Sequence, residues 1–84
     1  MYNLSSYNDW IKAIKEQKKV LEAMSVNVAI GAFGVITITV HYLKSSFTVR
    51  KDDKGNAIKE GDNHAMIYIQ RNLYQAGEQQ IYVR

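Results

Sequence analysis

The first part of the chain has the periodicity of an amphipathic helix. Over residues 5–24, apolar side chains recur at steps of three and four positions, namely Tyr7, Trp10, Ile11, Ile14, Leu21 and Met24. This spacing places them along one side of a helix, and only Gln17 and Lys18 interrupt the stripe. Ser5 or Ser6 can cap the free amides of the first turn. We therefore predict an N-terminal helix with a charged outer side.

After residue 24 the apolar positions alternate with polar ones, which is the period of a β-strand. The plainest alternation spans residues 35–43, where one face carries Ile36, Ile38, Val40 and Tyr42. The other face carries two threonines and a histidine, so we expect a sheet that is covered on one side only. The predicted strands are residues 26–30, 35–43, 47–50, 57–59, 65–71 and 81–84.

Short polar or glycine-containing segments separate these strands. Gly31-Ala-Phe-Gly34 predicts either a two-residue hairpin turn at Gly31 and Ala32 or a strand bent at a glycine bulge. Residues 52–56 have the composition of a tight turn, and further reversals are expected at 44–46 and 61–63. Residues 72–77 are expected to form a loop or a single helical turn.

These elements predict an α+β fold in a single domain over residues 1–84. One N-terminal amphipathic helix packs on one face of a four- to six-stranded antiparallel meander sheet, because consecutive strands with short connections pair antiparallel. The chain of 84 residues suffices for one core. It contains no cysteine, so disulfides and thiolate metal sites are excluded. Small domains without such links often gain stability from a second copy, and we expect that a homodimer can form.

A membrane-spanning helix is the main competing interpretation. Residues 23–43 contain no charged side chain, and about 20 apolar residues suffice to cross a bilayer. The segment nevertheless includes Asn27, Thr37 and Thr39, and its second half alternates as a strand does. We therefore predict that the protein does not enter a membrane. The N-terminus lacks the features of a secretory signal, which predicts an intracellular, cytoplasmic protein.

The sequence offers no recognisable catalytic or metal-binding motif. His41 and His64 lie in different predicted elements and lack metal-ligand spacing. Asp52, Asp53 and Asn56 do not follow the spacing of a calcium loop. No serine or threonine stands in a nucleophile motif. We therefore predict that the protein is not an enzyme and uses no cofactor.

Aromatic and basic residues interleave along the predicted strands and suggest a binding surface. The candidate partner-binding residues are Tyr42, Lys44, Phe47, Arg50, Lys51, Tyr68, Arg71 and Tyr74. Tyrosine and arginine are enriched at protein interfaces. The chain has no proline, so none blocks an edge strand from pairing outward. We predict a small non-enzymatic regulator or inhibitor that binds another protein and can self-associate through a sheet edge.

Nucleic acid is the alternative partner. The formal charge is +3, with 11 basic residues against 8 acidic ones. Aromatic rings on a sheet can stack on bases while Lys44, Arg50, Lys51 and Arg71 contact phosphates. Binding of this kind weakens steeply with salt, whereas an interface formed by aromatic burial does not.

Overall fold

The computed structural model describes the backbone of residues 2–82 and the side chains of residues 2–77. The elements, in chain order, are α1 (Tyr7–Glu16), α2 (Lys18–Ala23), β1 (Val26–Ile30), β2 (Ile36–Val40), β3 (Ser45–Lys51), β4 (Ala57–Gly61) and α3 (Asn63–Tyr82). The strands form one antiparallel meander sheet in the order β1-β2-β3-β4. The predicted α+β architecture is confirmed, with helices at both ends of the chain.

One face of the sheet forms the floor of the hydrophobic core. Its buried strand residues are Val26, Ile36, Ile38, Val40, Phe47 and Val49. The helices contribute Tyr7, Trp10, Ala13, Ile14, Leu21, Ala65, Ile69 and Leu73 to the same cluster. Trp10 lies edge-on to Phe47, with ring centroids 5.8 Å apart and an interplanar angle of 67°. The prediction that the N-terminal helix covers an apolar sheet face is therefore confirmed.

The opposite face of the sheet is polar, as the alternation of β2 predicts. It carries side chains that are exposed or half-buried, among them Asn27, Thr37, Thr39, Ser46, Thr48, Arg50 and Glu60. Arg50 and Glu60 form an ion pair across β3 and β4. Because these side chains are mostly hydrophilic, this face can remain in contact with water, and no described element covers it.

The predicted N-terminal helix is divided at Gln17, where the apolar stripe is interrupted. Gln17 leaves the helical conformation, with φ −104° and ψ 21°, and separates α1 from α2. Its side chain is buried, and its amide donates a hydrogen bond of 3.1 Å to the Tyr2 hydroxyl. Ser6 occupies the N-cap position of α1, but its side chain makes no capping hydrogen bond.

The predicted strands at residues 65–71 and 81–84 are wrong wherever the structure describes them. Residues 63–82 form helix α3, and residues 83 and 84 lie outside the described part of the chain. Asp62 caps α3, because its Oδ1 accepts the N–H of Ala65 at 3.0 Å. Ala65, Ile69 and Leu73 then follow one another at four-residue steps along the buried side. The sheet consequently has four strands, the lower end of the expected range.

Candidate functional site

The two outer strands of the sheet differ in how their edges are protected. The N-terminal segment covers the start of β4, since the Ser5 carbonyl accepts the N–H of Ala57 at 2.8 Å. Further along β4, Lys59 lies on the core side and its ammonium donates to the amide oxygen of Gln70 at 3.1 Å. A covering segment and an inward-facing charge are two devices that prevent an edge from pairing with another chain. The edge of β4 is therefore partly closed.

The edge of β1 has neither device. Its pairing with β2 is bounded by two hydrogen bonds, from His41 N–H to Ser25 O at 3.3 Å and from Gly31 N–H to Val35 O at 2.8 Å. Hydrogen-bonding direction alternates along an antiparallel strand. Val26, Val28 and Ile30 therefore direct their backbone N–H and C=O groups outward, and no described residue bonds to these groups. Charged residues and proline are absent from the strand.

A groove runs beside this edge on the core side of the sheet. It has a volume of about 220 Å³, and α1 and α2 form its wall opposite β1. Its apolar lining comes from Ile14, Leu21, Val26, Val28 and Ile30. Because side chains alternate along a strand, every second side chain of a segment added to β1 would point toward this groove. The outward backbone groups of β1 therefore lie next to an apolar groove.

Positive charge borders the groove. Lys15, Lys18 and Glu22 line it, so two cations stand against one anion. Neither lysine forms an ion pair within the described part of the chain, where Arg50 and Glu60 are the pair that does. The groove therefore favours apolar side chains flanked by acidic ones.

The turn between β1 and β2 displays an aromatic ring. The chain reverses at Ala32–Gly34, so of the two predicted alternatives the hairpin is present and the bent strand is not. The predicted position of the turn at Gly31 and Ala32 is wrong, because Gly31 still pairs with Val35 and the turn follows it. Phe33 has a left-handed backbone, with φ 60° and ψ 20°, and its side chain is fully exposed. Ile30, the last residue of β1, is 54% exposed. Apolar surface therefore continues from the groove toward the turn.

Four of the predicted partner-binding residues lie at separate places around the core and the sheet. Phe47 is buried against Trp10, and Tyr68 is half-buried against the core, so neither ring forms an open surface. Arg50 lies on the polar face in its ion pair with Glu60. The Lys51 ammonium lies 5.6 Å from the ring centroid of Tyr7.

The other four predicted residues form two small groups. Tyr42, which was expected on the apolar face, follows the end of β2 and is 79% exposed on a short turn that also contains Lys44. Arg71 and Tyr74 border a shallow depression on the outer side of α3, together with Ile67. The structure does not unite the eight residues, and the polar face of the sheet carries no aromatic ring.

The prediction that an edge strand can pair outward rested on the absence of proline, and it specified neither the strand nor the residues around it. Ile30, Phe33 and the groove residues of α1 and α2 were not among the candidates. The available signal was the uncharged run over residues 23–43, which contains a whole edge strand without a lysine, together with a phenylalanine in a turn. The residues predicted from aromatic and basic character lie instead on β3, on α3 and in the turn after β2.

The described residues form neither a cluster that could hold a metal ion nor a membrane-spanning helix. No three histidine, aspartate or glutamate side chains there lie close enough together to hold a metal ion. None of the helices, over the part that is described, has the length and apolar character needed to cross a membrane. Comparisons with protein families, with characterised proteins and with solved structures give no match to this chain.

Proposed function

We propose that this protein binds another protein by pairing an extended segment of that partner with the free edge of β1. It would act inside the cell as a small non-enzymatic regulator or inhibitor. The observation that carries the proposal is the edge itself: Val26, Val28 and Ile30 offer outward backbone groups directly beside an apolar groove.

Backbone pairing supplies the sequence-independent part of the interaction. An added antiparallel strand can form a hydrogen-bonded pair with each of the three outward residues. The opposite edge of the sheet, β4, is partly closed by Ser5 and Lys59, so strand addition favours β1.

Side chains supply the specificity. Segments with apolar residues at every second position fill the groove between Ile14, Leu21 and β1. Acidic residues beside them meet Lys15 and Lys18. A second copy of this chain is a poorer occupant, because it would bring a second pair of these lysines to the same place.

A random linear-peptide library displayed on phage, selected on the immobilised protein, tests the proposal. We expect the recovered peptides to alternate apolar residues and to carry acidic ones. Peptide binding should slow amide hydrogen exchange at Val26, Val28 and Ile30, which face outward in the free protein. Unchanged exchange at these three amides in the peptide complex would refute strand addition.

Two substitutions at one position isolate the backbone contribution. Val28→Pro removes an outward N–H without removing a hydrogen bond to β2, since proline is tolerated where a strand edge faces solvent. Val28→Ala removes side-chain volume and keeps the N–H. The proline variant should no longer bind the selected peptides, and the alanine variant should bind them more tightly than the proline variant does. Circular dichroism checks that both variants are folded. If the proline variant does not fold, Ile30→Lys, which places a charge at the edge, takes its place.

Self-pairing gives a different result in the same measurements. Protection of the three amides that rises with protein concentration in the absence of peptide, together with a doubled mass by light scattering, would mean that a second copy occupies the edge. That outcome would replace the heterologous partner in this proposal.

A further inference from the structure

Phe33 combines two features that are unusual for a phenylalanine. Its backbone is left-handed, a conformation that asparagine, aspartate and glycine adopt more readily than a bulky aromatic residue. Its side chain is fully exposed, so the ring contributes nothing to the core of the free protein. Backbone strain at an exposed residue is typical of ligand-binding sites, where the contact formed on binding compensates for it.

The turn that carries this ring is held in place. Gly34 also has a left-handed backbone, with φ 75°, and its carbonyl accepts a hydrogen bond from the Tyr7 hydroxyl. A Cβ at position 34 would lie 2.8 Å from that hydroxyl oxygen, so a larger residue there would displace the Tyr7 hydroxyl and would also be strained at this φ. The Gly34 N–H also bonds to the Gly31 carbonyl at 3.3 Å. The Phe33 ring is therefore presented from a fixed turn.

The position of the turn relates it to the proposed binding edge. Phe33 follows Ile30 by three residues, and Ile30 is both the exposed end of β1 and part of the groove lining. A segment paired along β1 and continuing past Ile30 would bring the body of its protein to this turn. Aromatic side chains, phenylalanine among them, are enriched at protein interfaces.

We infer that Phe33 is an anchor that enters an apolar pocket of the same partner protein, beside the segment paired with β1. This inference rests on the proposed function. Insertion of the ring into a lipid bilayer is the competing use of an exposed phenylalanine. The protein pocket is favoured because the adjoining edge offers backbone groups that hydrocarbon cannot pair with.

Photo-crosslinking in a lysate of the native cells tests the inference. A benzoylphenylalanine placed at position 33 should form one covalent adduct whose second polypeptide is identified by mass spectrometry. The matched control carries the same group at position 42, where Tyr42 is also exposed on a turn. Labelling of the same polypeptides from both positions, or no specific adduct from position 33, would overturn the inference.

Competition against this adduct separates the inference from the proposed function. Unlabelled wild-type protein should suppress formation of the adduct. The Phe33→Asn variant should reach the same suppression only at a concentration at least roughly tenfold higher. Because asparagine suits the left-handed backbone, the melting temperature of Phe33→Asn should equal or exceed that of the wild type. Equal competition by Phe33→Asn and the wild type would refute the anchor.

The Val28→Pro variant and lipid vesicles distinguish the remaining possibilities. If Val28→Pro fails to compete while Phe33→Asn competes fully, strand addition stands and the anchor does not. If Val28→Pro competes fully, strand addition to β1 is refuted. The inference that Phe33 binds beside a segment paired with β1 is then refuted as well. Flotation of the wild type, but not of Phe33→Asn, with phosphatidylcholine–phosphatidylserine vesicles would assign the ring to lipid and overturn the protein pocket.

Discussion

The hydroxyl of Tyr7, at the start of α1, donates a hydrogen bond to the carbonyl of Gly34, in the turn between β1 and β2. These residues are 27 positions apart in the chain. The bond ties the first helix to the turn that displays Phe33, and the Lys51 ammonium lies over the ring of the same tyrosine. The geometry of the exposed turn therefore depends on a residue of the core.

Removing the Tyr7 hydroxyl tests this dependence. Tyr7→Phe should lower the free energy of unfolding by about 0.5–1.5 kcal/mol, the usual net contribution of such a hydrogen bond. Amide exchange at Phe33 and Gly34 should also accelerate. Urea unfolding and hydrogen exchange measure the two effects. Tyr42→Phe is the control, because the exposed Tyr42 hydroxyl bonds to no described residue. Equal effects of the two changes would contradict the role of Tyr7.

Trp10 is the largest fully buried side chain and the centre of the core. It packs against Phe47, and its indole N–H donates to the Leu4 carbonyl at 2.7 Å. Trp10→Ala should cost about 3–5 kcal/mol, because it leaves a cavity and an unpaired carbonyl. Lys15→Ala, on the exposed side of α1, should change stability by less than about 0.5 kcal/mol. Thermal and urea unfolding of both variants measure these effects. A small loss of stability in Trp10→Ala would contradict the placement of Trp10 in the core.

Gly61, the last residue of β4, pairs with Phe47 of β3. Its φ is 133°, and a Cβ built there would lie 2.7 Å from the Cα of Phe47. Gly61→Ala should cost about 3 kcal/mol or more, since backbone strain adds to an overpacking cost of about 1–3 kcal/mol. Gly55→Ala is the matched control, because φ there is 85° and the surrounding space is open. That change should cost about 1–2 kcal/mol. Similar unfolding free energies for the two variants would show that Phe47 can move aside.

Charge reversal at the groove tests the chemistry of the partner segment. Lys15→Glu with Lys18→Glu should raise the Kd of the selected acidic peptides roughly two- to thirtyfold, since exposed ion pairs each contribute about 0.2–1 kcal/mol. The control is Lys12→Glu with Lys19→Glu, which changes the net charge equally but lies outside the groove lining. Fluorescence anisotropy at two salt concentrations measures both. If the control weakens binding as much, the charge of the whole protein is responsible and not the groove.

Asp52 makes the turn between β3 and β4 sensitive to acid. A hydrogen bond from the Asn56 backbone N–H, with further bonds from the Asn56 side-chain amide and the Lys54 N–H, lowers the pKa of Asp52 below 3.8 and outweighs the opposing effect of desolvation. The carboxylate therefore stabilises the fold above its unfolded-state pKa, and this contribution is lost as the pH falls through the lower, folded-state value. An NMR titration of the Asp52 carboxyl should show a midpoint below 3.8. Asp52→Asn should reduce the loss of stability on acidification, and an unchanged loss would show that other groups cause it.

The pattern of apolar positions was sufficient for the first two-thirds of the fold. A change from three- and four-residue steps to two-residue steps near Met24 predicts a helix followed by strands, because each backbone conformation repeats its side-chain direction with its own period. The same pattern failed at residues 65–71. Ile67 and Ile69 alternate with Met66, Tyr68 and Gln70, so the segment fits either period over its short length. A helix forms because Asp62 caps it and because its buried residues meet β3.

The composition of β1, and with it the absence of charge and proline, is a property of the sequence alone. Whether its edge is free depends on the tertiary structure, because strand order decides which strands lie outermost and distant segments decide which of them are covered. Ser5 and Gln70 reach β4 and not β1, and contacts of this kind join residues that local periodicity does not relate. The sequence thus determined a one-sided sheet with an unprotected strand, and only the folded chain placed that strand at an open edge beside a groove.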